Sequence, residues 1–223
     1  MQTTSEFVSL KSKLAIAVNV HSESISQLAA CLSRIEINFP DAQRRLFING
    51  SDGMEFRLLA ERFGFSAVVG ENLGTNRTWH IWWLRMLHFF DNTEADICFK
   101  FDPDTMVDKA PVDLPNADYF GQVQHSRYGF PFVQGGITGL SIRIVRKIIN
   151  ENLLEYSANK IWFCHPLKYR AHLADDQFLA LVLQHLDVIP VAWHECKSVW
   201  KRPVLNESGE FSIVHPRYVS DRV

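Results

Sequence analysis

The segment ICFKFDPDTMV, from Ile97 to Val107, decides the fold and locates the candidate site. The run from Ile97 to Phe101 is short and mostly apolar, which favours a buried strand. Asp102 and Asp104 follow directly, where such a strand leaves the interior of its sheet. Because ligands bind beyond the carboxyl ends of strands in parallel sheets, the position of these two carboxylates indicates a functional site.

Short apolar strands alternate with amphipathic helices up to this segment. A capping-box pattern of Ser24 with Gln27 marks the start of the first helix. The predicted strands are Leu14–Val20, Arg45–Asn49, Ser66–Val69 and Ile97–Phe101, and the predicted helices are 24–37, Glu55–Phe63 and Thr78–Phe90. The tryptophans of the last of these helices are expected to pack in the core. The alternation predicts βαβ units and a mostly parallel sheet flanked by helices.

The second half of the chain has a less regular pattern. A strand is predicted at Ala117–Val123, a turn-rich loop at Phe130–Gly136 and an amphipathic helix at Ser141–Leu153. A helix at Asp176–Leu186 and a strand at Val188–Trp193 follow, and the residues after this strand show no clear pattern. Since there is no internal repeat and no linker, the simplest organisation is a single α/β domain.

Composition and charge argue against several classes of protein. The net charge is −2, from 23 basic and 25 acidic residues, which gives no electrostatic case for nucleic acid binding. Cys31 and Cys98 fall in a predicted helix and strand and are expected as buried thiols. The N-terminal residues lack the apolar core of a secretory signal, and no stretch has the roughly 18 apolar residues of a membrane span. These features predict a cytoplasmic protein with no transmembrane segment.

The spacing of Asp102 and Asp104 predicts a metal site. Side chains two residues apart on an extended chain point the same way, and Pro103 biases Asp102 towards extended geometry. Two carboxylates held close together repel unless a cation lies between them or one takes up a proton. A hard divalent ion with oxygen ligands fits best, which predicts Mg²⁺ or Mn²⁺. The alternative is a pair of ordinary turn residues, because Asp-x-Asp is frequent by chance.

Five further segments join ICFKFDPDTMV in a resemblance to a known family. The aspartate segment resembles the metal-binding motif of glycosyltransferases of the GT-A fold, and is most similar to the Fringe and β-1,3-galactosyltransferase group. Three of these segments come after it in the order found in that group. They are FPFVQGGITGLS (Phe130–Ser141), DDQFLALVLQHL (Asp175–Leu186) and HPRYV, which begins at His215. The N-terminal half resembles the broader family 2 glycosyltransferases in INGSDG, from Ile48, and ENLGTNR, from Glu71.

The resemblance implies a GT-A fold, Rossmann-like, in which residues 12–107 bind the nucleotide and residues 108–223 form the acceptor and catalytic half. It implies a nucleotide-diphosphate sugar as donor, with the diphosphate neutralised by Mn²⁺ or Mg²⁺. The implied metal ligands are Asp102, Asp104 and His215. The implied contacts of the nucleotide sugar are Asn19, Val20, His21, Asp52, Arg77, Lys100, Asp102, Gly135 and Gly136.

The resemblance also implies the catalytic group. Asp176, with Asp175 before it, is the implied general base of an inverting single displacement. By analogy, the acceptor is a glycan or lipid-linked glycan at the cytoplasmic face of a membrane. The departures from the family pattern are Pro103 within the aspartate motif and a short gap from Asp104 to Gly135, which leaves the acceptor type open.

Several alternatives use the same residues. Asp175 and Asp176 also suit a helix start, where carboxylates satisfy free N–H groups. Gly135 and Gly136 allow either a close approach to a sugar or a turn with positive φ. The segment DPDTMV is also similar to the motif of haloacid-dehalogenase-like phosphatases, in which Asp102 is the nucleophile and Asp104 the acid/base. A GT-A-like domain that binds nucleotide or glycan without turnover is the remaining alternative.

Overall fold

The computed structural model describes residues 7–8, 12–20, 25–50, 53–71, 78–161, 173–199 and 209–216. Within these ranges the helices are α1 (Ile25–Asn38), α2 (Met54–Arg62), α3 (Trp79–Asp91), α4 (Ile142–Asn150), α5 (Leu153–Asn159) and α6 (Asp175–Gln184). The strands are β1 (Phe7–Val8), β2 (Leu14–Val20), β3 (Gln43–Asn49), β4 (Ser66–Gly70), β5 (Ile97–Phe101), β6 (Met106–Val107), β7 (Leu114–Pro115), β8 (Tyr119–His125), β9 (Pro131–Ser141), β10 (Val191–Ala192), β11 (Cys196–Ser198) and β12 (Ile213–His215).

A seven-stranded sheet forms the centre of the described chain, in the order β10-β8-β9-β5-β2-β3-β4. The strands β5, β2, β3 and β4 are parallel, and β10 is parallel to β8. Only β9 is antiparallel to its neighbours in this sheet, β5 and β8. The predicted mixed α/β, Rossmann-like architecture with a mostly parallel sheet is therefore confirmed, and both halves of the chain contribute strands to it.

Helices cover both faces of this sheet. On one face, apolar residues of α1 and α2 form a cluster that includes Leu32 and Phe99. On the other, residues of α3, α4, α5 and α6 form a cluster that includes Trp83 and Phe178. β5 is buried along its whole length between these two layers. Asp102 is the first residue beyond the carboxyl end of this strand.

The elements of the first half match the prediction closely. The strands Leu14–Val20 and Ile97–Phe101 are confirmed residue for residue. The other predicted strands and helices of this half agree to within two residues at each end. Strong local periodicity and clear turn formers account for this agreement.

The turn-rich loop predicted at Phe130–Gly136 is wrong, because β9 runs through it. This strand pairs with β8 on one side and β5 on the other, which satisfies its backbone groups. Gly135 and Gly136 are not among the glycines with positive φ. The pair indicates instead a strand whose backbone is approached closely by side chains from elsewhere.

The single helix predicted at Ser141–Leu153 is wrong, because two short helices occupy the region. The Ser141 side chain caps α4 by accepting a hydrogen bond from the Ile144 N–H. α4 ends at Asn150, and Asn152 adopts a left-handed conformation with φ of 51° before α5 begins. This reversal lets α5 pack beside α3 and α6 rather than extend away from them.

The strand predicted at Val188–Trp193 is longer than the one observed. Only Val191 and Ala192 pair with β8. The helix predicted at Asp176–Leu186 is confirmed as α6, which begins one residue earlier at Asp175.

The region after Trp193, where the sequence shows no pattern, contributes a second small sheet. In it β12 lies between β11, to which it is parallel, and β6, to which it is antiparallel. The buried Glu195 carboxylate links this small sheet to the loop before β7. It accepts hydrogen bonds from the N–H groups of Val112 and Asp113 in that loop and from the Ser212 hydroxyl. Strands of two or three residues carry no readable periodicity, yet this sheet brings the end of β12 to the end of β5.

The thiols of Cys31 and Cys98 are buried and free, as predicted. Cys196 is also buried, and Cys164 lies outside the described residues. Among the described helices, none is both long enough and apolar enough to cross a bilayer.

Candidate metal centre and adjoining cleft

A tight turn places Asp102 and Asp104 at the end of β5. The N–H of Thr105 donates to the Asp102 carbonyl oxygen at 3.0 Å, which closes a four-residue turn with Pro103 in its second position. The Gly136 carbonyl anchors this turn to β9 by accepting from Asp102 N at 3.0 Å and from Thr105 Oγ1 at 2.8 Å. The predicted extended geometry is therefore wrong, because the two carboxylates converge through a turn.

His215, at the end of β12, completes this group. Its Nε2 lies 2.9 Å from Asp104 Oδ1 and 3.5 Å from Asp102 Oδ2. One ligand atom from each of the three residues lies within 4.8 Å of the other two. The structure thus brings together the three residues predicted as metal ligands, with the imidazole buried and both carboxylates partly exposed.

Two neighbours fix the position of the imidazole ring. The Ser198 hydroxyl, which is buried on β11, lies 3.0 Å from His215 Nδ1. When Nδ1 carries the proton and donates it to Ser198, Nε2 keeps its lone pair towards the carboxylates, as a metal ligand requires. On the other side the ring lies against the backbone of Gly136, so closely that a Cβ atom there would be 2.0 Å from Nδ1.

The chemistry of this group fits a divalent cation. Two carboxylates and one imidazole offer oxygen and nitrogen ligands together. Mg²⁺ favours oxygen alone, whereas Mn²⁺ accepts carboxylates and, as a transition metal, also imidazole. The donor set therefore fits Mn²⁺ better than Mg²⁺.

Lys100 joins this group to the acidic start of α6. Its ammonium group is 2% exposed and contacts the Asp102 carboxylate, the Gly135 carbonyl and, at 3.5 Å, the Asp175 carboxylate. Burial by itself lowers the pKa of Lys100, but the charges of Asp102 and Asp175 outweigh it and raise the pKa above its usual value. Lys100 is therefore an internal counter-ion shared by the two acidic groups. Its contact with a nucleotide sugar stays a prediction.

The tryptophan-rich helix α3 holds the start of α6. Trp83 Nε1 donates to the Asp175 carbonyl oxygen at 2.9 Å, and Trp79 Nε1 donates to the Leu173 carbonyl oxygen at 3.1 Å. Trp82 and Trp83 are buried, which confirms the expected core packing. The indole hydrogen bonds of Trp79 and Trp83 fix the backbone that carries the candidate catalytic aspartates.

The Asp176 carboxyl group is buried but hydrogen-bonded. Its Oδ2 accepts from Gly135 N at 2.9 Å and its Oδ1 accepts from Gln177 N at 2.7 Å. Burial raises the pKa of Asp176 to about 7, and the charge of Asp175 adds to the shift. Burial also raises the pKa of Asp175. The Asp176 carboxyl group thus accepts a hydrogen bond from one N–H of its own helix, and its pKa suits a general base near neutral pH.

A cleft of about 500 Å³ opens beside these acidic groups. Its walls come from the end of β5, the β8–β9 hairpin, the start of α6 and the end of β12. The lining residues are Asp102, Gln124, His125, Ser126, Arg127, Phe132, Gln134, Gly135, Ala174, Asp175, Asp176, Gln177 and His215. One metal-ligand carboxylate, the imidazole and the candidate base therefore face a single space.

No family model and no curated protein matches this chain. The functional assignment therefore depends on the geometry of these residues.

Two of the predicted nucleotide contacts, Asn19 and Val20, lie on β2, which pairs with β5 on the side away from β9. The Asn19 side chain donates to the Met86 sulfur at 2.9 Å, and Val20 is fully buried. Three predicted contacts lie outside the described residues: His21, Asp52 and Arg77.

Sequence reasoning missed Ser198, Glu195 and Gln134. Ser198 lies next to His215 only because β11 and β12 pair in parallel, and nothing local to either residue signals that pairing. A buried acidic residue such as Glu195 has no sequence signature beyond its apolar neighbours. Gln134 precedes the glycine pair, and its polar side chain within an apolar run was the one signal present.

Proposed function

We propose that this protein is a metal-dependent glycosyltransferase that moves a sugar from a nucleotide-diphosphate sugar to an acceptor hydroxyl, with inversion at the sugar carbon. The proposal is carried by the convergence of Asp102, Asp104 and His215 at one edge of a cleft that also contains Asp176. A cation site and a carboxyl group that titrates near neutral pH are the two components that such a transfer uses.

Asp102, Asp104 and His215 would hold Mn²⁺, or Mg²⁺. Held there, such an ion would supply positive charge to the donor diphosphate and to the departing nucleotide. The protein contributes fixed ligand positions, because Gly136 anchors the aspartate turn and Ser198 orients the imidazole.

Asp176 would accept the proton of the acceptor hydroxyl. The hydroxyl oxygen then forms a bond to the anomeric carbon as the bond to the diphosphate breaks, and attack from the opposite side inverts that carbon. Hydrogen bonds from Gly135 N and Gln177 N hold the carboxyl group in place, and the charge of Asp175 helps to keep its pKa high enough to take the proton.

The donor would extend from the metal group across the ends of β5 and β2, which are neighbours in the sheet. The nucleotide would then lie near Asn19 and Val20 and, following the resemblance to glycosyltransferases, near His21, Asp52 and Arg77. The acceptor, a glycan or lipid-linked glycan presented in the cytoplasm at the inner face of a membrane, would occupy the cleft.

Calorimetric titration of nucleotide diphosphates with and without Mn²⁺ tests this proposal. One nucleotide is expected to bind only when Mn²⁺ is present, and Asp104→Asn is expected to abolish that binding. Asp91→Asn is the matched control, because Asp91 pairs with Arg146 on the surface, away from the cleft. Binding that is independent of Mn²⁺, or unchanged in Asp104→Asn, would contradict the proposal.

Enzyme assays separate the two alternatives. A haloacid-dehalogenase-like phosphatase would release phosphate from p-nitrophenyl phosphate without any nucleotide sugar, with Asp104 as acid/base. A binding domain without turnover would take up the nucleotide diphosphate with Mn²⁺ but would not hydrolyse the corresponding nucleotide sugar. A glycosyltransferase is expected to hydrolyse that nucleotide sugar slowly with Mn²⁺, because water replaces the acceptor.

A further inference from the structure

Two glutamine amides of the cleft have no hydrogen-bond partner within the described chain. Gln134 is 6% exposed and borders the cleft, and none of the described residues pairs with its side chain. Gln177 borders the same cleft, and its Oε1 is buried without a partner. Gln124 differs from both, because its amide already donates to the Ser198 carbonyl oxygen at 3.4 Å.

Amides left in this condition indicate a ligand that completes them. A buried polar atom without a partner destabilises the protein, so the buried Gln177 Oε1, together with the nearly buried Gln134 side chain, is unusual unless something binds there. Each amide offers two donor hydrogens and one acceptor oxygen. Neighbouring hydroxyl groups on a sugar ring both donate and accept, and they match such amides better than a purely anionic or purely apolar ligand does.

Both glutamines lie at or next to a backbone N–H that donates to the candidate base. Gln134 precedes Gly135, whose N–H donates to Asp176 Oδ2 at 2.9 Å. Gln177 follows Asp176 and donates its own N–H to Oδ1 at 2.7 Å. One amide therefore comes from β9 and one from α6, with the carboxyl group of Asp176 between the two backbones.

The charges that border the cleft favour a neutral ligand. Three carboxylates line it, those of Asp102, Asp175 and Asp176, and the buried Lys100 ammonium that contacts two of them supplies a single positive charge. The cation of the β8–β9 turn, Arg127, is exposed and its guanidinium donates to the Tyr128 hydroxyl at 2.8 Å. An acceptor that carries its own carboxylate would be repelled by like charge near Asp176.

We propose that Gln134 and Gln177 bind the hydroxyl groups adjacent to the attacking one, and that they select an uncharged sugar ring as the acceptor. The assignment of this ring as an acceptor rests on the proposed glycosyltransferase function. The binding of a neutral sugar in the cleft does not, because it depends only on the two amides.

Saturation-transfer NMR of the full chain tests the proposal. The probes are the methyl glycosides of glucose, galactose, mannose and N-acetylglucosamine, with methyl glucuronide as the charged comparison. At least one neutral glycoside is expected to bind, with an affinity at least threefold tighter than methyl glucuronide. Gln134→Leu and Gln177→Leu are each expected to weaken that binding about tenfold, because each removes the hydrogen bonds of one amide.

Gln184→Leu is the matched control, since Gln184 is exposed on the same helix as Gln177 and does not border the cleft. Thermal unfolding checks that all three variants fold. The proposal is overturned if no neutral glycoside binds, if the glucuronide binds as tightly, or if the two cleft variants bind like Gln184→Leu. Sugar binding without Mn²⁺-dependent nucleotide binding would keep this site and remove the transferase function, and the opposite pair of results would do the reverse.

Discussion

The imidazole of His215 lies so close to the backbone of Gly136 that only glycine fits at position 136. A Cβ atom on Gly136 would stand 2.0 Å from both Cγ and Nδ1 of the imidazole, far inside contact distance. The carbonyl of the same glycine accepts the hydrogen bonds that fix the Asp102–Thr105 turn. One residue of β9 thus positions all three candidate metal ligands.

Gly136→Ala is expected to weaken Mn²⁺ binding at least tenfold although it removes no ligand, because the new methyl group displaces the His215 ring. The overpacking should also lower the free energy of unfolding by about 1–3 kcal/mol. Electron paramagnetic resonance titration of free Mn²⁺ measures the affinity. Gly135→Ala is the control, because its Cβ would meet Asp176 at 3.2 Å and not His215. Equal Mn²⁺ affinity in the two variants would contradict the expectation.

Ser198→Ala is expected to lower Mn²⁺ affinity by roughly 10–100-fold, since the hydroxyl that orients His215 Nδ1 is lost. The same Mn²⁺ titration measures it. Ser66→Ala serves as the control, because the Ser66 hydroxyl accepts a hydrogen bond from Arg45 at the β4 edge of the sheet, away from His215. A Ser198 variant with wild-type affinity would show that the imidazole does not need this partner.

Lys100→Met is expected to lower the free energy of unfolding by about 3–5 kcal/mol, because it leaves Asp102 and Asp175 without their buried counter-ion. Urea denaturation in metal-free buffer measures the change. The matched variant Lys13→Met removes an exposed ion pair with Glu94 and should leave the free energy of unfolding almost unchanged, because solvent screens that pair. Losses of similar size in the two variants would rule out a central role for the Lys100 ammonium.

Asp176→Asn is expected to stabilise the metal-free protein at pH 8 by roughly 1–3 kcal/mol. Burial raises the pKa of Asp176 to about 7, above the value of about 3.9 in the unfolded chain. The folded state therefore holds the extra proton between these two values, and its stability falls as the pH rises from about 4 to about 7. Urea denaturation across this range should show a smaller fall in the variant. The same slope in both proteins would mean that Asp176 titrates normally.

The pH dependence of donor hydrolysis follows from the same group only if Asp176 acts as base towards water. In that case the rate should rise as the pH increases through about 7, because only the deprotonated carboxylate accepts a proton. Asp176→Asn should then reduce the rate at every pH.

The sequence predicted the parts of the fold that local patterns encode. Buried strands and their ends leave a signature in adjacent residues. The sequence therefore predicted the apolar strands at Leu14–Val20 and Ile97–Phe101 and the carboxylates that follow the second strand. The convergence of Asp102 and Asp104 was predicted correctly for an incorrect reason, since a turn closed by Thr105 produces it.

The rest depended on pairing between distant segments. Gly135 and Gly136 suggested either a close approach to a sugar or a turn with positive φ. The turn is wrong, because their small size accommodates Asp176 and His215 within a strand. The pairing of β11 with β12 involves three residues on each side, too few for periodicity to reveal. Contacts of this kind are decided by packing in three dimensions and have no counterpart in the residues nearby.

The arrival of His215 on β12 has a consequence for biosynthesis. Asp102 and Asp104 emerge from the ribosome well before this strand, which must then dock on β6 to present the imidazole. A nascent chain therefore holds the two acids without their nitrogen partner, and tight capture of a transition metal by the proposed site would be postponed until translation has passed residue 215. A ribosome-stalled chain ending before Cys196 should accordingly retain Mn²⁺ no better than the full chain carrying His215→Ala.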